Sequence, residues 1–295
     1  MKASAKISKC KENFLKIDMW NIKGLTTEKA NDSHFQNIIS KFNITSFVET
    51  WIGESTQDIV LPNFELVHSS SRKKHKKERR YSGGISIFAK NSITNGVKPI
   101  KNSHSDVLWI KLDHVFFNID RDVYLTVVDI SPEYSSGSTN DIESVYSILL
   151  NEVEKYSRLG DIIIQGDFNA YANTQPDFVE FDNETKRVNL DDSDYHSDTI
   201  MSGNNLDHKH TNNSGKVLLN FCKETRIRIL NGRTTGDLNG QPTCITYNGS
   251  SLVDYTLISE ELLKSVGYFE VHDFTSLTNH RPISCGIFAD TSFKY

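Results

Sequence analysis

Residues 161–165 read Asp-Ile-Ile-Ile-Gln and lead without a break into Gly166-Asp167-Phe168-Asn169. This run constrains the fold more than any other feature of the chain. Three consecutive isoleucines leave no polar face, so the segment predicts a strand that is covered on both sides. The glycine, acid and amide that follow sit where a rigid strand passes into a loop. Such positions display reactive groups to solvent.

A strand of that kind needs neighbours and covering layers. Alternating or β-branched runs predict further strands at residues 14–20, 44–49, 83–89, 107–112, 123–128, 227–230, 252–258 and 282–288. Asp32 or Ser33 is expected to cap a helix through Phe35, Ile38 and Ile39, and helical spacing recurs over residues 141–156 and 217–222. Ser259 is expected to cap a short helix, with Glu260 and Glu261 in its first turn. Residues 172–213 show little periodicity and predict a long loop. Strands interspersed with helices give an α/β chain, for which a two-sheet β-sandwich flanked by helices is a compatible architecture. No repeat or linker divides it. Residues 14–295 are therefore expected to form a single domain behind a flexible N-terminal extension, residues 1–13.

Composition excludes some classes. No apolar run reaches the roughly 18 residues of a membrane helix, and the lysine-dotted start has no apolar core, so no membrane partner is expected. Cys10, Cys222, Cys244 and Cys285 form no paired motif. A reducing, intracellular setting is expected, nuclear or cytoplasmic. The net charge of −5 is not that of a dedicated DNA-binding domain, but it hides a dense basic run of Arg72, Lys73, Lys74, Lys76, Lys77, Arg79 and Arg80. That run reads as a loop that grips DNA phosphates, or else as a solvated loop or import signal. Tyr81, Tyr171 and Tyr247 could stack on bases, or simply pack.

Polar residues at predicted strand ends include Asn21, Glu49, Asp167 with Asn169, Asp254 and His280. A lone strand-end Asp more often caps a turn. Acid, amide and imidazole together suit hydrolysis of a phosphodiester. That reaction needs phosphoryl charge stabilised, usually by Mg²⁺ on carboxylates, a positioned water, and a cation near the phosphate. An Asp bonded to the His would fix its tautomer and favour its charged form.

The ordered segments Trp20-Asn21-Ile22-Lys23-Gly24-Leu25, Glu49-Thr50-Trp51, Ser82-Gly83-Gly84-Ile85, Gly166-Asp167-Phe168-Asn169-Ala170, Leu252-Val253-Asp254-Tyr255 and Asn279-His280-Arg281-Pro282-Ile283 resemble the endonuclease/exonuclease/phosphatase superfamily, which has the DNase I-like fold. Phe221-Cys222-Lys223-Glu224, residues 229–234 and Asn248-Gly249-Ser250-Ser251 are similar to its non-LTR (LINE-type) retrotransposon endonucleases in particular. The resemblance spans about residues 14–290. It implies a DNA-nicking hydrolase that uses Mg²⁺ or Mn²⁺. Glu49 is then the chief metal ligand, with Asn21 in support. Asp167 and Asn169 orient water and phosphate, and Asp254 pairs with His280, which contacts the scissile phosphate. The Glu49 and Asp167 strands become neighbours in space.

Three positions depart from the family's pattern. Lys23 stands where relatives carry Asn or Asp, Asp129 where they carry a phosphate-contacting Tyr, and Asn279 where an Asp precedes the last His. A carboxylate at 129 opposes an approaching phosphate, so an ion pair between Lys23 and Asp129 is one expectation. An inactive module that keeps the fold and binds nucleic acid or protein is the alternative. Oligomeric state is left open.

Overall fold

A computed structural model describes residues 14–53, 59–72, 81–132, 142–179 and 201–289. The expected N-terminal extension and residues 73–80 of the basic run lie outside them. In chain order the strands are β1 (Phe14–Asn21), β2 (Ile44–Val48), β3 (Phe64–Ser70), β4 (Ile85–Lys90), β5 (Val97–Pro99), β6 (Val107–Leu112), β7 (Val123–Asp129), β8 (Asp161–Asp167), β9 (Ile227–Ile229), β10 (Cys244–Thr246), β11 (Gly249–Ser251), β12 (Asp254–Ser259), β13 (Val266–Val271) and β14 (Ile283–Phe288). They form two six-stranded sheets, β13-β14-β1-β2-β4-β3 and β5-β6-β7-β8-β12-β9, while β10 and β11 pair as a separate hairpin.

The isoleucine run shows why this is a layered sandwich. Ile163 packs between the sheets with Leu15, Ile17 and Met19 of β1. Ile162 and Ile164 point the other way, into a layer filled by Leu149, Val153, Leu218 and Phe221. Those residues belong to helices Ile142–Ser157 and Asn213–Thr225. All three isoleucines are fully buried, which contributes roughly 1.5–3 kcal/mol each. On the far side of the first sheet, Trp20, Phe47 and Phe88 pack against Phe35 of helix Ser33–Ile39. The result is the expected α/β sandwich, two sheets face to face with helices outside.

The second sheet grades from apolar to acidic along its inner face. Leu125, Ile163 and Ile258 are register partners across β7, β8 and β12. Two residues on, the partners are Val127, Gln165 and Thr256, and two further on they are Asp129, Asp167 and Asp254. Period two keeps each set on one face. Gly166 lets β8 run close to β7, since a Cβ there would overlap the Val128 carbonyl.

Some elements differ from expectation. β3 was not anticipated because it is an edge strand with exposed Glu65 and Leu66 and a bulge between Leu66 and His68, so no clean alternation survives. β5, β10 and β11 span only three residues each. Helix Asn213–Thr225 is longer than its periodic core, because the Asn212 side chain accepts from Gly215 N at 2.7 Å and starts it earlier. Asp32 is the cap of helix Ser33–Ile39, accepting from Phe35 N at 2.8 Å. Ser259 precedes a 3₁₀ turn, Glu260–Ser265, without capping it; its hydroxyl accepts from Ile162 N at 3.1 Å instead.

Candidate active site

The acidic end of the second sheet is hydrogen-bonded to the first sheet. Asn21, the last residue of β1, donates from Nδ2 to Asp167 Oδ2 at 2.8 Å. Asn21 and Asp167 are both buried. Asp167 also accepts from Asn169 N through Oδ1, at 3.0 Å. Asn169 adopts a left-handed conformation, φ 47°, and its Nδ2 donates to the Ile130 carbonyl at 2.8 Å. Burial, followed by repulsion from Asp254, pushes the Asp167 carboxyl up to about 7, against the pull of His280 and the Asn21 bond.

Asp254 and His280 form the expected pair, with Nδ1 at 2.9 Å from Oδ2. His280 is placed from both sides. Trp20 Nε1 donates to its carbonyl at 2.9 Å, and it bridges to Cys244 of the hairpin. Asn231 Nδ2 donates to the Asp254 carbonyl at 3.1 Å. Burial opposes the charged ring, but the Asp254 charge and hydrogen bond, backed by Cys244 and Asp167, raise its pKa to about 11. The imidazole therefore carries its proton throughout the neutral range.

Glu49 follows β2 directly and turns with φ 53°. Its Oε2 accepts from Trp51 Nε1 at 2.6 Å and from Gly83 N at 3.0 Å. Gly83 is itself left-handed, φ 65°, and a Cβ there would collide with the Arg72 guanidinium. Glycine is favoured on both counts.

Arg72 is the described member of the basic run, and it faces inward. Its Nε donates to Asp106 Oδ1 at 2.6 Å and its Nη2 to the Asp129 carbonyl at 2.6 Å, with Asp129 Oδ2 at 3.5 Å. The pairing expected between Lys23 and Asp129 is thus corrected. Lys23 is exposed, with φ 46°, and its N–H reaches Asn21 Oδ1 at 3.3 Å, while Arg72 is the cation beside Asp129. Burial raises Asp129 well above the usual carboxylate range; Arg72 opposes this, and Glu49, Asp106 and Asp167 add to it. Asn279 directs Nδ2 to Cys244 Sγ at 3.2 Å. Lys73, Lys74, Lys76, Lys77, Arg79 and Arg80 lie outside the described residues. Asp106 and Asn231 were not anticipated, since each looks ordinary until its partner in a distant segment is known; Trp51 stood only within a motif, and its bond to Glu49 two residues away was not anticipated either.

Ligand atoms of Asp167, Asp254 and His280 lie within 4.8 Å of one another. A protonated imidazolium has no free lone pair, so this trio is better suited to holding a proton than a metal. Residues next to it have the chemistry a divalent ion takes. Glu49, Asn21 and Asp167 offer hard oxygen donors. Asp129 Oδ2 and Asp254 Oδ1 are buried without a hydrogen-bond partner among the described residues. Carboxyl groups at 49, 106, 129, 167 and 254 outnumber the two cations beside them, Arg72 and His280, and a bound hard cation would favour the charged forms of Asp129 and Asp167 that burial opposes.

The chain matches no family model and no curated protein. Solved structures do match it. The endonuclease domain of TRAS1, a telomere-specific non-LTR retrotransposon, aligns at 13% identity over 93% of this chain and 98% of its own, with a TM-score of 0.53. The AP endonuclease LMAP from Leishmania major aligns at 14% identity over 94% and 88%, with a TM-score of 0.64. The 3′ phosphatase NExo from Neisseria, bound to a product DNA hairpin, aligns at 13% identity over 92% and 99%, with a TM-score of 0.59. These neighbours belong to the endonuclease/exonuclease/phosphatase superfamily, and at such identities what this chain shares with them is the DNase I-like fold.

Proposed function

We propose that this protein is a divalent-metal-dependent phosphodiester hydrolase, a DNA-nicking endonuclease of the retrotransposon type. One observation carries the reading. The inner-face row of Asp167 and Asp254 meets a protonated His280 on one side and Asn21, beside the Glu49 turn, on the other. Acid, amide and imidazolium thus converge at one end of the sandwich, where β1, β7 and β8 finish and β12 begins. The TRAS1 and NExo structures, one a retrotransposon endonuclease and one holding DNA, support DNA as the substrate class.

The residues divide the work. His280 presents its remaining N–H to a phosphoryl oxygen, where positive charge offsets the negative charge that builds up on attack. Asp254 fixes the ring and keeps it charged. Asp167 orients the attacking water and takes its proton, a role suited to a carboxyl raised to about 7. Asn21 aims Asp167, and Asn169 holds the loop in place. Glu49, with Asn21 nearby, would hold Mg²⁺ or Mn²⁺, which when bound neutralises phosphoryl and leaving-group oxygens. Arg72 cancels the charge that Asp129 would otherwise turn on the phosphate. The basic run, Lys73 to Arg80, grips the flanking DNA backbone.

Supercoiled plasmid with Mg²⁺ tests this. Nicking by the wild type, abolished in Glu49→Gln and His280→Ala and in excess EDTA, is the expected result. DNA binding without nicking favours a second reading, an inactive nuclease-fold module that binds nucleic acid or protein, for which the departures at Lys23, Asp129 and Asn279 are the motive. Absence of both binding and nicking sinks the hydrolase and the nucleic-acid-binding module alike, and leaves only a protein-binding module.

A further inference from the structure

A second polar feature lies behind β12, away from the row of carboxylates. Residues 172–178, which follow the Asn169 loop, and residues 202–205 enclose a cavity of about 130 Å³ with β9 and β12. That volume takes a phosphate-sized ion along with water. Phe178, Ile229 and Leu252 give it an apolar wall, and amides such as Asn173 and Asn205 give it a polar one. Among the described residues its one charged lining group is Arg233 and no carboxylate lines it, in a chain whose net charge is −5.

Arg233 is held for a purpose that its own contacts leave unmet. Its side chain is only 7% exposed, and Nη2 pairs with Asp177 Oδ1 at 2.9 Å. Asp177 is fully buried, and its other oxygen accepts from Ile229 N at 2.7 Å. The guanidinium is therefore locked from behind. Its Nε and Nη1 are buried and bond nothing among the described residues. Buried donors without acceptors cost about 1–3 kcal/mol each, so they call for a partner such as a water or an ion. Gly203 lies against the guanidinium, where any larger residue would crowd it. Asn231 links the cavity to the proposed active site, lining the one and bonding the Asp254 carbonyl of the other.

We propose that this cavity binds a phosphate group through Arg233, either as free phosphate or as a backbone phosphate of a nucleic-acid strand. The site requires no cleavage, so it stands apart from the hydrolase reading.

Thermal denaturation in EDTA, titrated with sodium phosphate against sodium chloride at matched ionic strength, tests it. A saturable rise in Tm with phosphate but not chloride is expected for the wild type. Arg233→Lys keeps a cation for Asp177 but loses the Nε and Nη1 donors, and apparent phosphate affinity should fall at least about tenfold. Ser202→Glu leaves Arg233 and Asp177 intact and puts a carboxylate at the exposed rim; it should lose the response too, and it serves if Arg233→Lys does not fold. Competition with a fluorescent single-stranded oligonucleotide separates the sources. Displacement by phosphate places the site on a nucleic-acid path, and a phosphate response without displacement assigns it to the free ion. A wild type that responds equally to phosphate and chloride means water alone fills the cavity and overturns the proposal. So does an undiminished response in Ser202→Glu.

Discussion

Asp254→Asn separates charge from geometry at the proposed active site. The amide oxygen can still accept from His280 Nδ1, so the ring keeps its orientation while losing its counter-charge. The rise of the imidazole pKa from 6.5 to about 11 corresponds to on the order of 6 kcal/mol in favour of the charged ring. Both groups are buried, with side-chain exposures of 6% and 0%, so solvent screens the pair little. That figure is the net of burial, which opposes the charge, and of Asp254, Cys244 and Asp167, which favour it, so it sets the scale of the effect rather than the share of Asp254 alone. The sign follows from the direction of the shift. A raised pKa in the folded state stabilises the fold fully below the unfolded value near 6.5 and loses that contribution as pH climbs toward 11. The stability gap between wild type and Asp254→Asn should therefore be widest in mild acid and narrow in alkali. Ring-proton NMR in EDTA, with His280→Gln for assignment, gives the direct measurement. Wild-type His280 should not titrate between about pH 5 and about pH 9, and the Asn variant should titrate inside that range. A wild-type midpoint near the ordinary histidine value, or identical curves for the two proteins, would refute the argument.

Arg72→Met should destabilise the fold by about 3–5 kcal/mol in urea, because Asp106 and Asp129 are left buried without their cation; adding Asp106→Asn and Asp129→Asn should recover much of the loss, and no recovery would mean that the arginine's packing matters more than its charge. Asp18 is buried with one oxygen on the Thr45 hydroxyl at 2.7 Å, and burial lifts its carboxyl to about 8. Its ionisation opposes folding, so wild-type stability should fall by roughly 1.4 kcal/mol per pH unit as pH rises from about 4 toward 8, a slope that Asp18→Asn should flatten in denaturant titrations. Gly166→Ala should lower Tm markedly, since the added methyl meets the Val128 carbonyl where β7 and β8 touch; a Tm within a degree or two of wild type would show that the strands can part.

The sequence exposed most of what is local. Ile162 to Ile164 announced a doubly covered strand, and the helix Ile142–Ser157 announced itself through Val145, Leu149 and Val153. Asp254 with His280 was legible only through the family resemblance, because 26 residues separate the two and nothing in their spacing requires contact. Arg72 shows the opposite limit. In the sequence it opens a basic run and looks like surface. Its inward turn depends on Asp106 and Asp129, carboxylates 34 and 57 residues away, which no local pattern connects to it. The edge strand β3 and the hairpin of β10 and β11 escaped because short or half-exposed strands bury too little to imprint a period. The Arg233 cavity escaped for the same reason as Arg72: a buried charge reads as an exposed one until the fold supplies its surroundings.

The polarity gradient along β7, β8 and β12 gives the two ends of the same strands opposite energetic accounts. At the apolar end, Leu125, Ile163 and Ile258 lock the strands into the core, and burial there is favourable at any pH. At the acidic end, burial and mutual repulsion hold Asp129 and Asp167 above the ordinary carboxylate range. A cation arriving there would relieve that cost without adding anything to the core. One end of the strands is thus set by packing alone, and the other stays responsive to charge.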